Sequence, residues 1–115
     1  MVAWPAGGVR ASDKVQAGRM GRVDLRFYFD PQTGEPHIYR HGVSEEEVHQ
    51  VMENPADEFG GRGDSRIALG QTEHGRYLEV VYVPDPGRRG AFVVTAYDLR
   101  GKALAAYRRR RRRKR

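Results

Sequence analysis

Polar and apolar residues alternate from Leu25 onward, with Leu25, Phe27 and Phe29 separated by Arg26, Tyr28 and Asp30. A period of two predicts a half-buried strand, which the turn-forming Pro31-Gln32-Thr33-Gly34 brings to an end. The period then changes. In His41-Gly42-Val43-Ser44 and the residues that follow, Val48, Val51 and Met52 form a stripe of helical spacing that stops before Pro55. Ser44 suits the N-cap, Glu47 three residues later completes a capping box, and Val43 can staple against Val48. Glu45, Glu46 and Glu47 fall in the first turn, where carboxylates favour the positive end of the helix dipole. Their grouping is therefore helix chemistry before it is catalytic chemistry.

Three further strands are expected, at Arg66 to Gln71, Arg76 to Val83 and Ala91 to Asp98. The connections over 72–75 and 84–90 are short enough for antiparallel neighbours. The run from Ala91 to Ala96 is apolar on both parities, as a central strand would be. Gly101 to Tyr107 has the Ala and Leu content of a short helix. The expected architecture is thus α+β: a four-stranded antiparallel sheet packed by a central helix and a short C-terminal helix. Residues 1–22 are rich in Gly and Ala and have no period, which reads as a flexible leader, with Met20 as an alternative start. The folded domain is expected over 23–107 and a polybasic tail over 108–115.

At 115 residues, 38% of them hydrophobic, the chain suits one core. It has no cysteine, which excludes a disulfide framework, a thiolate nucleophile and Cys-containing zinc sites. Its apolar runs are far shorter than the ~20 residues that span a bilayer, so a soluble, cytoplasmic protein without a membrane partner is expected. The net charge of +6 is unevenly distributed. Arg108, Arg109, Arg110, Arg111, Arg112, Arg113, Lys114 and Arg115 supply eight cations, which leaves thirteen Lys and Arg against fifteen Asp and Glu elsewhere. Mutual repulsion should keep such a tail extended or weakly helical, and it would attract phosphate or an anionic membrane nonspecifically.

The four histidines lack a metal-binding pattern, since His37 and His41 are four apart with neither an intervening Glu nor a clear helical period. No phosphate-binding glycine loop precedes a helix, and Arg62-Gly63-Asp64 reads as a turn. No cofactor is expected. RNA cleavage without metal needs a proton acceptor, a proton donor and fixed cations. His41, Arg66, Arg76 and Tyr107 are the candidates. Each also has a purely structural explanation: a turn cap for His41, solvated strand ends for the arginines, packing for Tyr107. If Ile67 and Leu69 face the helix, Arg66 points to the opposite sheet face, whereas Arg76 shares its face with Leu78, Val80 and Tyr82.

The run His41-Gly42-Val43-Ser44-Glu45-Glu46-Glu47-Val48, then Arg66-Ile67-Ala68-Leu69-Gly70-Gln71-Thr72, then Gly75-Arg76-Tyr77-Leu78-Glu79-Val80-Val81-Tyr82, resembles the BrnT-like family of bacterial toxins in order and spacing. The resemblance covers roughly residues 24–107. It implies a fold related to the RelE and ParE toxins, ribonuclease activity that blocks translation, and neutralisation by a DNA-binding antitoxin. Arg40-His41, Arg66, Arg76 and Tyr107 match the pattern, while Tyr97 stands where the pattern has Arg after Ala96. The function expected from this resemblance is the toxin of a type II toxin-antitoxin pair, a metal-independent endoribonuclease. The alternatives are a noncatalytic RNA- or ribosome-binding protein relying on the basic tail, and an interaction module whose sheet docks a peptide.

Overall fold

The computed structural model describes residues 23–86 and 89–114, so the leader expected over 1–22 lies outside the described residues, as does Arg115. Among the described residues five strands form one sheet: β1 (Asp24–Phe27), β2 (Asp57–Gly60), β3 (Arg66–Gln71), β4 (Tyr77–Pro84) and β5 (Gly90–Asp98). Their spatial order is β1-β5-β4-β3-β2. A 3₁₀ helix (His37–His41) and α1 (Glu45–Glu53) lie between β1 and β2, and α2 (Gly101–Lys114) follows β5.

The sheet corrects the expectation of four antiparallel strands of the RelE type. It is mixed, because β1 runs parallel to β5, with Asp24 opposite Gly90 and Phe27 opposite Val93. It also has a fifth strand, β2, antiparallel to β3. The segment Asp57-Glu58-Phe59-Gly60 carries two carboxylates and a glycine, all poor strand formers, so its pairing comes from the neighbour's backbone and not from its own pattern. The parallel alignment is equally invisible in a period of two, which gives strand faces without strand direction.

A bulge explains why Ala91 to Ala96 is apolar on both parities. Val81 pairs with Thr95 but Tyr82 pairs with Val93, so Val94 is the additional residue. It shifts the alternation by one position. Ala96 on one side of the bulge and Val93 and Ala91 on the other are therefore all buried in the core beneath α1. That core also holds Ala68, Leu78, Val80 and Tyr82 from the sheet, Ile38 and Val43, and Val48, Val51 and Met52 from α1. Full burial of Val48 and Val51 stabilises by roughly 1.5–3 kcal/mol each. Gly70 allows this close approach: a Cβ there would sit 3.1 Å from Cγ1 of Val51.

Helix α1 begins as its sequence requires. The Ser44 hydroxyl accepts from the Glu47 backbone N–H at 3.1 Å, and Glu47 Oε1 accepts from the Ser44 N–H at 3.0 Å. Ser44→Ala removes the first of these bonds and should cost about 1 kcal/mol, read as a fall of a few degrees in thermal unfolding. An unchanged melting temperature would show that the cap contributes nothing.

The opposite face of the sheet carries a smaller cluster of Leu69, Leu99 and Tyr107, joined by Ile67, Tyr77 and Leu104. It is covered by α2, which continues to Lys114 and so runs past the short helix expected to end near Tyr107 and takes in most of the tail expected to be extended or weakly helical. Ala, Leu and Arg are strong helix formers. Two contacts anchor the basic turns: Arg110 Nε bonds Asp57 Oδ2 at 2.9 Å, and Arg108 lies 5.0 Å from the centre of the Tyr77 ring. No helix among the described residues is long and apolar enough to cross a membrane.

Candidate functional site

The 3₁₀ helix presents His37, Arg40 and His41 along the end of β5. Its position is set from both sides. On the leading side, the buried Asp30 accepts from the Gln32 backbone N–H at 2.8 Å, lies 3.3 Å from His37 Nδ1, and forms an ion pair with Arg40. The Gln32 N–H and then the Arg40 charge outweigh desolvation and hold the Asp30 carboxyl below its ordinary range. On the trailing side, Gly42 adopts φ +70°, a left-handed conformation that a side chain would strain, and turns the chain from His41 into the Ser44 cap.

Arg76 fixes that turn to the sheet. Its Nε donates to Asp98 Oδ1 at 2.7 Å, and its Nη1 donates to the Gly42 carbonyl at 2.9 Å and to Glu47 Oε1 at 3.0 Å. One guanidinium thus joins the 3₁₀ turn, the capping box of α1 and the end of β5. Hydrogen bonds from Arg76 and Arg100 hold the Asp98 carboxyl below its ordinary range. Burial works to raise that of Glu47, but the Ser44 N–H and Arg76 outweigh it and the net direction is down.

Arg40, His41, Tyr97, Asp98 and Arg100 line a shallow cleft of about 370 Å³. The exposed His41 ring stands edge-on to two others, with centroids 5.4 Å from His37 and 5.6 Å from Tyr97. The Tyr97 hydroxyl donates to Glu79 Oε2 at 3.1 Å, and burial followed by the Glu79 charge keeps the phenol protonated. Arg100 bonds Asp98 through Nη2 and is otherwise largely in solvent; a guanidinium carries five donors. The cleft therefore combines an accessible imidazole, a neutral phenol, a carboxylate and two guanidiniums, and the His37 imidazole packs against His41 beside it.

Of the four candidates His41, Arg66, Arg76 and Tyr107, only His41 lies in this cleft, beside Arg40, which the resemblance pairs with it. Arg76 borders it from behind, engaged as described. Arg66 is opposite Tyr82, whose pairing puts both on the α1 face of the sheet. The parity expectation is corrected, because Ala68 and Gly70, not Ile67 and Leu69, face α1. The two arginines share a face, yet Arg76 is six residue steps from Tyr82, the partner of Arg66, about 20 Å along the strand direction. Tyr107 is on the inner face of α2, buried against the sheet, its ring edge-on to Tyr77 at 5.7 Å. Burial raises its pKa, the opposite of what ready proton release requires. Arg108, Arg111 and Arg112 line a second cleft of about 350 Å³ with Asn54, Gln71 and Tyr77.

Tyr97, Arg100 and His37 were not singled out by sequence as working parts of the site. Along the sequence Tyr97 stands out only as a departure from the toxin pattern, and nothing local connects it with His41. Among the described residues no cluster of three His, Asp or Glu side chains is disposed to hold a metal ion.

Comparison with curated proteins and with solved structures returned no match. A family model described as a domain of unknown function, DUF4258, matches residues 37–98. That span opens at His37 and closes at Asp98, so it takes in most of the His41 cleft and nearly all of the sheet. Covering more than half of the 115 residues, the match establishes that the chain belongs to the DUF4258 family.

Proposed function

We propose that this protein is a metal-independent endoribonuclease, the toxin of a type II toxin-antitoxin pair of the BrnT-like kind. The observation that carries the reading is the accessible His41 ring in a cleft that Arg40 and Arg100 also line, edge-on to a second imidazole whose Nδ1 lies beside the buried Asp30. In this reaction the ribose 2′-oxygen attacks the adjacent phosphorus as its proton passes to His41. The P–O5′ bond breaks, and the leaving oxygen takes a proton from His37. The products are a 2′,3′-cyclic phosphate and a 5′-hydroxyl. Arg40 and Arg100 stabilise the extra negative charge on the pentacoordinate phosphate. Arg76 is a positioning residue that fixes the backbone beside His41. RNA, free or on the ribosome, is the substrate, which implies a cytoplasmic site of action, and the regulatory partner is a DNA-binding antitoxin.

A noncatalytic reading draws on a separate observation, the Arg108, Arg111 and Arg112 cleft, whose charge suits phosphate whether or not RNA is cut. Incubating the purified full chain with RNA in EDTA distinguishes the two. Cleavage is expected, with cyclic phosphate ends. Salt-sensitive binding without any cleavage would replace the nuclease with the binding protein, and cleavage abolished by EDTA would reject the mechanism.

A further inference from the structure

Four aromatic rings follow one another across the surface at the His41 cleft. Tyr28 and His37 have centroids 6.1 Å apart, His37 and His41 5.4 Å, and His41 and Tyr97 5.6 Å. Tyr28 is 41% exposed and lies outside the proton-transfer pair. Its backbone is fixed on both edges: the N–H donates to the Val93 carbonyl and the carbonyl accepts from the His37 N–H, both at 2.9 Å. The ring is thus held in solvent by a rigid segment, which burial and core packing do not explain. Arg40, in the same 3₁₀ helix as His37 and His41, and Arg100 across the cleft supply charge complementary to a phosphate backbone.

We infer that the row Tyr28, His37, His41 and Tyr97 is a stacking track for unpaired nucleobases, and that the substrate is single-stranded RNA. This rests on the proposed RNA-directed function. The geometry discriminates between strand states. Bases in a duplex strand stack in parallel about 3.4 Å apart or closer. Adjacent rings here are 5.4–6.1 Å apart, with planes inclined by 54–72°. A paired strand keeps its base faces covered by its own stacked neighbours, whereas an unpaired base has a face free to lie on the exposed rings of Tyr28 and His41. Tyr28, at the end of the row, engages a base next to the cleavage position and so contributes affinity without taking part in proton transfer.

The test uses the full chain and a fluorescent 2′-O-methyl oligonucleotide containing 2-aminopurine, which binds but lacks the hydroxyl needed for cleavage. The single strand should bind at least ~10-fold more tightly than the same sequence annealed to its complement, with quenching of the 2-aminopurine as bases stack on the rings. Tyr28→Leu should weaken single-strand binding about 10-fold and diminish the quenching, while Tyr28→Phe retains both. Equal affinity of wild type for duplex and single strand would overturn the track, as would unchanged binding by Tyr28→Leu. If Tyr28→Leu proves unfolded by circular dichroism, the wild-type strand preference and quenching still decide the matter. Stacking without cleavage of ordinary RNA would refute the nuclease and leave the track standing; cleavage of single strand and duplex alike would do the reverse.

Discussion

Purified His41→Ala protein is expected to cleave RNA ~10²-fold more slowly than wild type, or not measurably, with its thermal unfolding unchanged. The imidazole is exposed and outside both apolar clusters, so its removal opens no cavity. The loss should appear in the rate constant at saturating RNA more than in affinity, because the ring's proposed task is proton transfer. His41→Ala cutting at the wild-type rate would eliminate the proposed acceptor. A loss of activity matched by a collapse in melting temperature would reassign the residue to folding.

Arg76→Met should cause the largest loss of stability, roughly 2–3 kcal/mol, seen as a fall of about 10 °C in thermal unfolding. The substitution keeps the aliphatic stem but leaves Glu47 and Asp98 without their shared cation and the Gly42 carbonyl without its donor. A fully buried pair broken in this way costs about 3–5 kcal/mol, and the partial solvent access of these three side chains reduces the figure. Arg76→Lys should recover only part, since one ammonium cannot reproduce the fork of bonds. Acid dependence provides a second readout. Glu47 and Asp98 are held below their unfolded pKa values of about 4, so their contribution is complete above that pH and is lost as pH falls through their native values. Wild type should therefore hold its melting temperature down to about pH 5 and lose it in more acid solution, with a shallower decline in Arg76→Met. Parallel acid profiles would show that Arg76 does not stabilise these carboxylates.

How much of this could be read along the chain depended on whether the determining interactions were local. The α1 cap was readable because Ser44 and Glu47 are three residues apart and bond each other. Strands β3, β4 and β5 were readable through their own side chains. The strand β2 was not, since its place is decided by hydrogen bonds to β3, and Arg66 was put on the wrong face because small Ala68 and Gly70, not the larger Ile67 and Leu69, meet α1. The same limit applied to the site. His41 stood out as an imidazole at a helix entrance, but Tyr97 and Arg100 reach it only through tertiary structure. Arg76 and Tyr107 are conspicuous for their chemistry, yet one is engaged by two carboxylates while the other is sealed between α2 and the sheet.

The parallel pairing of β1 with β5 imposes an order of assembly. Asp24 meets Gly90, and the residues that lead directly into His37 and His41 lean on the same late strand through Tyr28 and Val93. During synthesis, the first strand must wait until β5 has emerged from the ribosome, with α1, β2, β3 and β4 already made. Contacts so distant along the chain form slowly. The His41 cleft consequently takes shape among the last parts of the molecule, and a nascent chain whose final strand is still inside the ribosome holds all the histidines but has nowhere to align them.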